Sequence, residues 1–204
     1  MMAEAFHERL SALDAIFLDL ENETTSMHVG AALLFDAKPL KLDNGGLDME
    51  RITKYTLAAL DTMPRYRQRL EWVPGFGHPV WIEDDRFNIN FHLRHTRLPL
   101  PGDERMLKRL VGRLFSQRLD RSRPLWEFWI VEGIEYDQFA LVGKAHHCMI
   151  DGVAGVGLIE ALLQMTPVVA EKEPRSWTPR PAPTRTQLLR AEVKHRINGL
   201  RKLS

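Results

Sequence analysis

Seven consecutive residues carry the groups best suited to moving a proton: His146-His147-Cys148-Met149-Ile150-Asp151-Gly152. Imidazole has the unperturbed pKa closest to neutrality, so a histidine aimed from a rigid support is a natural general base. The support can be read on either side. An apolar, strand-like stretch from Phe139 to Ala145 precedes the pair, and a small-residue helical pattern from Val153 to Leu158 follows it. The histidines therefore sit where a strand ends and a helix begins. Successive strand residues face opposite sides, so an extended chain turns His147 away from both His146 and Cys148. Only one of the two rings can then do the work.

Two other chemistries are open to the same residues. Cys148 could serve as a thiol nucleophile, but on an extended chain His147, the base nearest to it, points the other way. His146, His147 and Asp151 include metal-ligating types, yet they lack the separated third ligand and the spacing of zinc patterns. Neither reading uses the whole run as well as the general base does.

The run also resembles the HHxxxDG motif of the CoA-dependent acyltransferase superfamily, which includes chloramphenicol acetyltransferase, carnitine acyltransferases and peptide-synthetase condensation domains. Every fixed position is present. The resemblance implies that His147 deprotonates the acceptor and that His146 supports it. It also implies that Asp151, followed by Gly152, points away from substrate and pairs with an arginine to hold the loop. Three further stretches narrow the resemblance: Asp120-Arg121-Ser122-Arg123-Pro124-Leu125-Trp126-Glu127, Leu10-Ser11-Ala12-Leu13-Asp14-Ala15-Ile16-Phe17-Leu18, and Met27-His28-Val29-Gly30. Together they are similar to the bacterial wax ester synthase/diacylglycerol acyltransferase family over roughly residues 10 to 165.

That likeness implies an O-acyltransferase moving a long acyl chain from acyl-CoA, as co-substrate, to diacylglycerol or a fatty alcohol, with no bound cofactor and no metal. It implies an α/β (α+β) lobe like that of chloramphenicol acetyltransferase, a mixed sheet with packed helices, in a two-lobed enzyme whose active site lies between the lobes. The motifs found here belong to the N-terminal lobe. The second lobe and its Asn-Asp motif fall outside the 204 residues. The expected partners are thus a complementary C-terminal lobe or a homo-oligomer, besides the lipid substrates. A noncatalytic lobe that binds a lipid or a partner protein is the alternative.

In the implied chemistry, a hydroxyl is a poor nucleophile until its proton is removed as it attacks, which a neutral His147 can do. No acyl-enzyme is needed, because the tetrahedral intermediate expels the CoA thiolate directly. Some donor must stabilise the oxyanion.

Composition bounds the setting. Hydrophobic residues at 44% and charged residues at 27% suit a domain with a buried core. Cys148 is the sole cysteine, which excludes an intramolecular disulfide and predicts a reducing, cytoplasmic compartment. Met1 to Arg9 lacks the pattern of a secretory signal, and no apolar run approaches the ~20 residues that span a bilayer. Contact with the inner membrane or a lipid droplet is expected to be peripheral. The net charge of +1 is uneven: residues 166 to 204 carry nine Lys/Arg against three Asp/Glu, and the preceding residues 19 against 24. The basic stretch from 104 to 118 has no interleaved aromatics, so nucleic acid is not an expected partner.

Periodicity places the elements. Ser11 with Asp14 predicts a capped helix ending near Leu20, and His28 to Phe35 a strand. Ile52, Tyr55, Ala59 and Leu60 predict a helix that stops before Pro64. Val80 to Ile82 and the alternating Ile89, Phe91 and Leu93 predict short strands. Met106, Leu107, Leu110, Val111, Leu114 and Phe115 form a helix face. Leu125 to Ile134 and Phe139 to Ala145 predict a hairpin whose second strand delivers the histidines.

Three regions follow. Residues 1–165 form the lobe. Residues 166–184, with five prolines, form an extended linker. Residues 185–204 form a basic amphipathic helix that crosses to the second lobe or lies on anionic lipid.

Overall fold

The computed structural model describes residues 6–150 and 173–201. The chain begins with strand β1 (Glu8–Arg9) and helix α1 (Ala12–Leu20). Ser11 starts α1 as predicted: its Oγ accepts the Asp14 N–H at 3.0 Å and donates to the Asp14 carboxylate at 2.7 Å. Strand β2 (His28–Asp36), helix α2 (Met49–Leu60), strands β3 (Gln68–Trp72) and β4 (Pro79–Glu83), and the one-turn helix α3 (Ile89–His92) follow. Strand β5 (Leu93–Arg97), helix α4 (Glu104–Ser116), strands β6 (Trp126–Ile134) and β7 (Gln138–His146), and helix α5 (Arg185–Arg201) complete it.

The mixed sheet runs in the order β2-β7-β6-β5. β5 and β6 are parallel, and the intervening α4 supplies the crossover such a pair requires. β7 lies inside the sheet, paired with β2 over nine residues from His28 opposite His146 to Asp36 opposite Gln138. Side-chain alternation divides the core between the two faces. Trp126, Phe128, Ile130, Phe139 and Ala145 pack with Leu18 of α1 and Leu60 of α2. Val131, Ala140 and Val142 pack on the other face with Leu107 and Leu114 of α4.

Two close contacts seat the end of α4 beside the histidines. Lys144 is buried, and its Nζ donates to the carbonyls of Leu114 (3.0 Å) and Gln117 (2.7 Å) where the helix ends. Across the sheet, a Cβ on Gly30 would come within 2.6 Å of both the Phe115 ring and the Gly143 carbonyl. The bare backbone of Gly30 lets that ring lie against β2.

A second, antiparallel sheet, β1-β4-β3, was not anticipated as a separate unit. Its central strand β4 is wholly buried, and Val73, Val80 and Ile82 receive Leu188 of α5. The stretch from Ile89 to Leu93 is also corrected. Its alternation suggests a strand, but Asn88 accepts the Asn90 N–H at 3.0 Å and turns Ile89–His92 into a helical turn, so pairing begins only at Leu93. Of the predicted linker, residues 173–184 carry no helix or strand up to Thr184, yet they are fastened to the lobe. The Arg175 N–H donates to Asp61 (2.7 Å), Arg180 donates to Glu83 through its backbone (2.6 Å) and Nε (2.7 Å), and Trp177 meets Phe87 edge-on. Among the described residues no helix is long and apolar enough to cross a membrane.

Candidate active site

The β2–β7 ladder ends with His28 opposite His146. Residues 147–149 then leave the ladder as a 3-10 turn. His146 caps that turn with its side chain, its Nδ1 accepting the Cys148 N–H at 3.1 Å. The Ile150 N–H returns to the His147 carbonyl (3.0 Å), and the His147 N–H donates to the Met27 carbonyl (2.8 Å). The expectation of an extended chain through Cys148 is therefore corrected, since the ring of His146 captures the Cys148 amide and bends the backbone.

The two rings nevertheless have different surroundings. His146 is fully buried. His147 is half-buried and stacks on Phe17 of α1, with ring centroids 3.8 Å apart and an interplanar angle of 23°. Its Nδ1 has no hydrogen-bond partner among the described residues.

Beside His146 lies a group the sequence reading did not single out, Glu21, the C-cap residue of α1. Its carboxylate is almost wholly buried. Oε2 accepts from Arg121 Nε (3.1 Å) and Nη2 (2.9 Å), while Oε1 accepts the Met27 N–H (3.3 Å) and lies 3.7 Å from His146 Nε2. Arg121 Nη2 also donates to the Leu18 carbonyl at 2.7 Å. Three stretches quoted from the sequence thus meet at one point: the opening helix, the segment before β2, and the loop carrying Arg121. One local signal could have exposed Glu21. An acidic residue at a helix C-terminus opposes the macrodipole and calls for a cationic partner.

These contacts set the protonation states. Burial pushes the His146 pKa down, Glu21 opposes, and Arg121, His28 and His147 add to the lowering, leaving it at about 4. His146 is thus neutral at physiological pH. Burial alone would raise Glu21, but the Arg121 and Met27 hydrogen bonds and the charge of Arg121 hold it below the usual carboxylate range. Burial pushes the Cys148 thiol up to about 12, so the sulfur is protonated and a poor nucleophile.

His28, read from the sequence as an isolated core or surface residue, sits opposite His146, its Nε2 2.8 Å from the Phe115 carbonyl. Asp151 and Gly152 lie outside the described residues, as does the helical pattern after them. Among the described residues no three His, Cys, Asp or Glu side chains converge as metal ligands.

The architecture defines the class first. The starter condensation domain of the rhizomide synthetase RzmA shares this fold, with a TM-score of 0.59 over 78% of the chain and 38% of that domain at 12% identity. The wax ester synthase/diacylglycerol acyltransferase of Marinobacter aquaeolei superposes with a TM-score of 0.58, covering 73% of this chain and 35% of that one at 34% identity. The model of the wax ester synthase/diacylglycerol acyltransferase catalytic domain matches residues 10–203, and the chain belongs to that family. A probable diacylglycerol O-acyltransferase of Mycobacterium tuberculosis is 38% identical over 182 residues, 89% of this chain and 65% of the relative. A putative one from the same organism is 38% identical over 173 residues, 82% of this chain and 33% of the relative. The chain therefore spans between one third and two thirds of the length of these relatives.

Proposed function

We propose that the chain is the acceptor-activating part of an acyl-CoA-dependent O-acyltransferase forming triacylglycerol or wax ester, with His147 as general base. The contrast between the two imidazoles carries this reading. His146 is buried, neutral and committed to the turn, whereas His147 stands half-buried on Phe17 with its Nδ1 unpartnered among the described residues. His147 takes the hydroxyl proton of diacylglycerol or a long-chain alcohol as the new C–O bond forms at the thioester carbonyl. Collapse of the tetrahedral intermediate breaks the C–S bond, and the imidazolium returns its proton to the CoA sulfur. The base is regenerated without an acyl-enzyme. Asp151 and Gly152 supply the remaining fixed positions of the motif.

The partial span of the relatives supports a site completed by a complementary C-terminal lobe or a second copy of the chain. The exposed Leu13, Ile16 and Leu20 on α1, beside Phe17, offer an apolar approach to His147. Leu189, Val193 and Ile197 on α5 are exposed among Arg190, Lys194 and Arg201, which suits peripheral contact with a lipid surface. The noncatalytic alternative draws on the same partial span.

Ester formation from palmitoyl-CoA with diolein or hexadecanol decides between them. It is measured for the chain alone and for a fusion in which the chain replaces the matching region of the Mycobacterium relative. The chain alone should be nearly inactive and the fusion active, with His147→Ala lowering fusion turnover by roughly 10²–10⁴-fold. An active His147→Ala fusion, or an inactive fusion with His147 intact, would sink the proposal.

A further inference from the structure

We propose that Glu21 and Arg121 are positioning residues for His147 and act through His146: Glu21 fixes the proton of His146 on Nε2, which leaves Nδ1 free to accept the Cys148 N–H and close the turn that carries His147. The His146 ring makes a hydrogen bond of unambiguous direction. The Cys148 backbone nitrogen can only donate, so His146 Nδ1, 3.1 Å away, must be bare. A neutral imidazole holds a single proton, which places it on Nε2. That atom has no hydrogen-bond partner among the described residues, but it faces Glu21 Oε1 at 3.7 Å. The separation is too long for a hydrogen bond and short for a charge acting through a buried, poorly screened space. The carboxylate stabilises Nε2–H over the other tautomer.

A lone carboxylate would go further and draw a second proton onto the ring. The imidazolium would then have donors at both nitrogens, and Nδ1–H would oppose the Cys148 N–H. Arg121 prevents this. Its guanidinium pairs with Glu21 through two hydrogen bonds to Oε2, leaving Oε1 toward the ring, and its charge opposes protonation of His146. His28 from β2 and His147 from the turn add to that opposition, and the Glu21 carboxylate acts against them. The pair therefore selects a tautomer without creating an ion. Geometry conveys the choice to His147, since the turn from His146 to Ile150 fixes where that residue leaves the backbone and meets Phe17.

The inference rests on reading His147 as the base, but it is tested by proton positions rather than turnover, so the two can fail separately. Long-range proton–nitrogen correlation spectra of the uniformly nitrogen-15-labelled chain report the tautomer and titration of each histidine. Unsubstituted protein should show His146 protonated at Nε2, bare at Nδ1, and untitrated above about pH 5. Glu21→Gln keeps an acceptor for Arg121 but removes the charge. It should mix the His146 tautomers and shift the His147 ring signals. Arg121→Gln should raise the His146 pKa by about one unit or more, and Arg121→Lys should largely restore it. A proton on Nδ1 of His146 in the unsubstituted protein would overturn the proposal without any variant. So would a Glu21→Gln spectrum unchanged at both histidines, or an Arg121→Gln variant whose His146 pKa stays put.

Discussion

Two glutamates, Glu21 at the end of α1 and Glu192 within α5, bury their carboxylates almost completely, and each is gripped by arginine. Their settings differ. Glu192 is shared by Arg9 of β1 and by Arg196 one turn along α5, whose guanidinium also lies over Phe76 at 4.5 Å. Every partner there fastens α5 and the small sheet together. Glu21 has one arginine, one backbone amide, and an imidazole held just beyond hydrogen-bonding distance. Burying a carboxylate costs the same desolvation in both places, but one pairing secures a helix and the other also sets the state of a ring.

The largest effects should come from removing each carboxylate in turn. Glu21→Ala leaves Arg121 uncompensated, and Glu192→Ala leaves both Arg9 and Arg196 so. Breaking a fully buried pair costs about 3–5 kcal/mol, and because Arg9 and Arg121 are 29% and 35% exposed the loss should fall at or below the low end. Urea denaturation should show comparable losses for the two. Only Glu21→Ala should disturb the ring signals of His146 and His147. Equal disturbance by Glu192→Ala would erase the distinction.

Acid sharpens the comparison from another side. The unfolded His146 binds a proton near 6.5 and the folded one only near 4, so between those values the unfolded state carries more protons and stability falls as pH falls. His92, lowered mainly by burial between Phe87 and Trp126, contributes in the same direction. Glu21, held low, adds its loss only as pH drops through its folded pKa. The melting temperature should therefore decline below about pH 6.5, and His146→Gln should flatten part of that decline. A decline unchanged in His146→Gln would assign it elsewhere.

The smallest effect belongs to Cys148→Ser. The thiol is buried and protonated, and the proposed mechanism gives it no part. The serine fusion should keep most of its turnover and lose about 1–2 kcal/mol of stability from burying a hydroxyl. Loss of all turnover at unchanged melting would point to the sulfur instead.

Legibility followed range along the chain. The capped start of α1, the long strand β2 and the β6–β7 hairpin were readable because their signals lie within a few residues of one another. β3 was not: the buried, polar Gln68 sits on the face that Leu70 also buries, which blurs the alternation. At the candidate site the histidine pair was legible from its own spacing. The Glu21–Arg121 contact was not, because it joins residues 100 apart that carry no shared pattern. The apolar positions of α5 looked like one face, but Leu188 turns into the small sheet while Leu189, Val193 and Ile197 remain outside. Residues spaced by three and four form adjoining stripes, and only a partner decides which one is covered.

The span of that one ion pair also bears on how the molecule assembles. His147 is stacked by residue 17, its turn is capped by residue 146, and the cap is governed by residues 21 and 121. Contacts of such sequence separation close large loops, and they form after local helices and hairpins because the entropy of closure must be met first. During synthesis Glu21 leaves the ribosome 100 residues before Arg121. The setting of the His147 ring is therefore complete only when the segments carrying Phe17, Glu21 and Arg121 have met the turn.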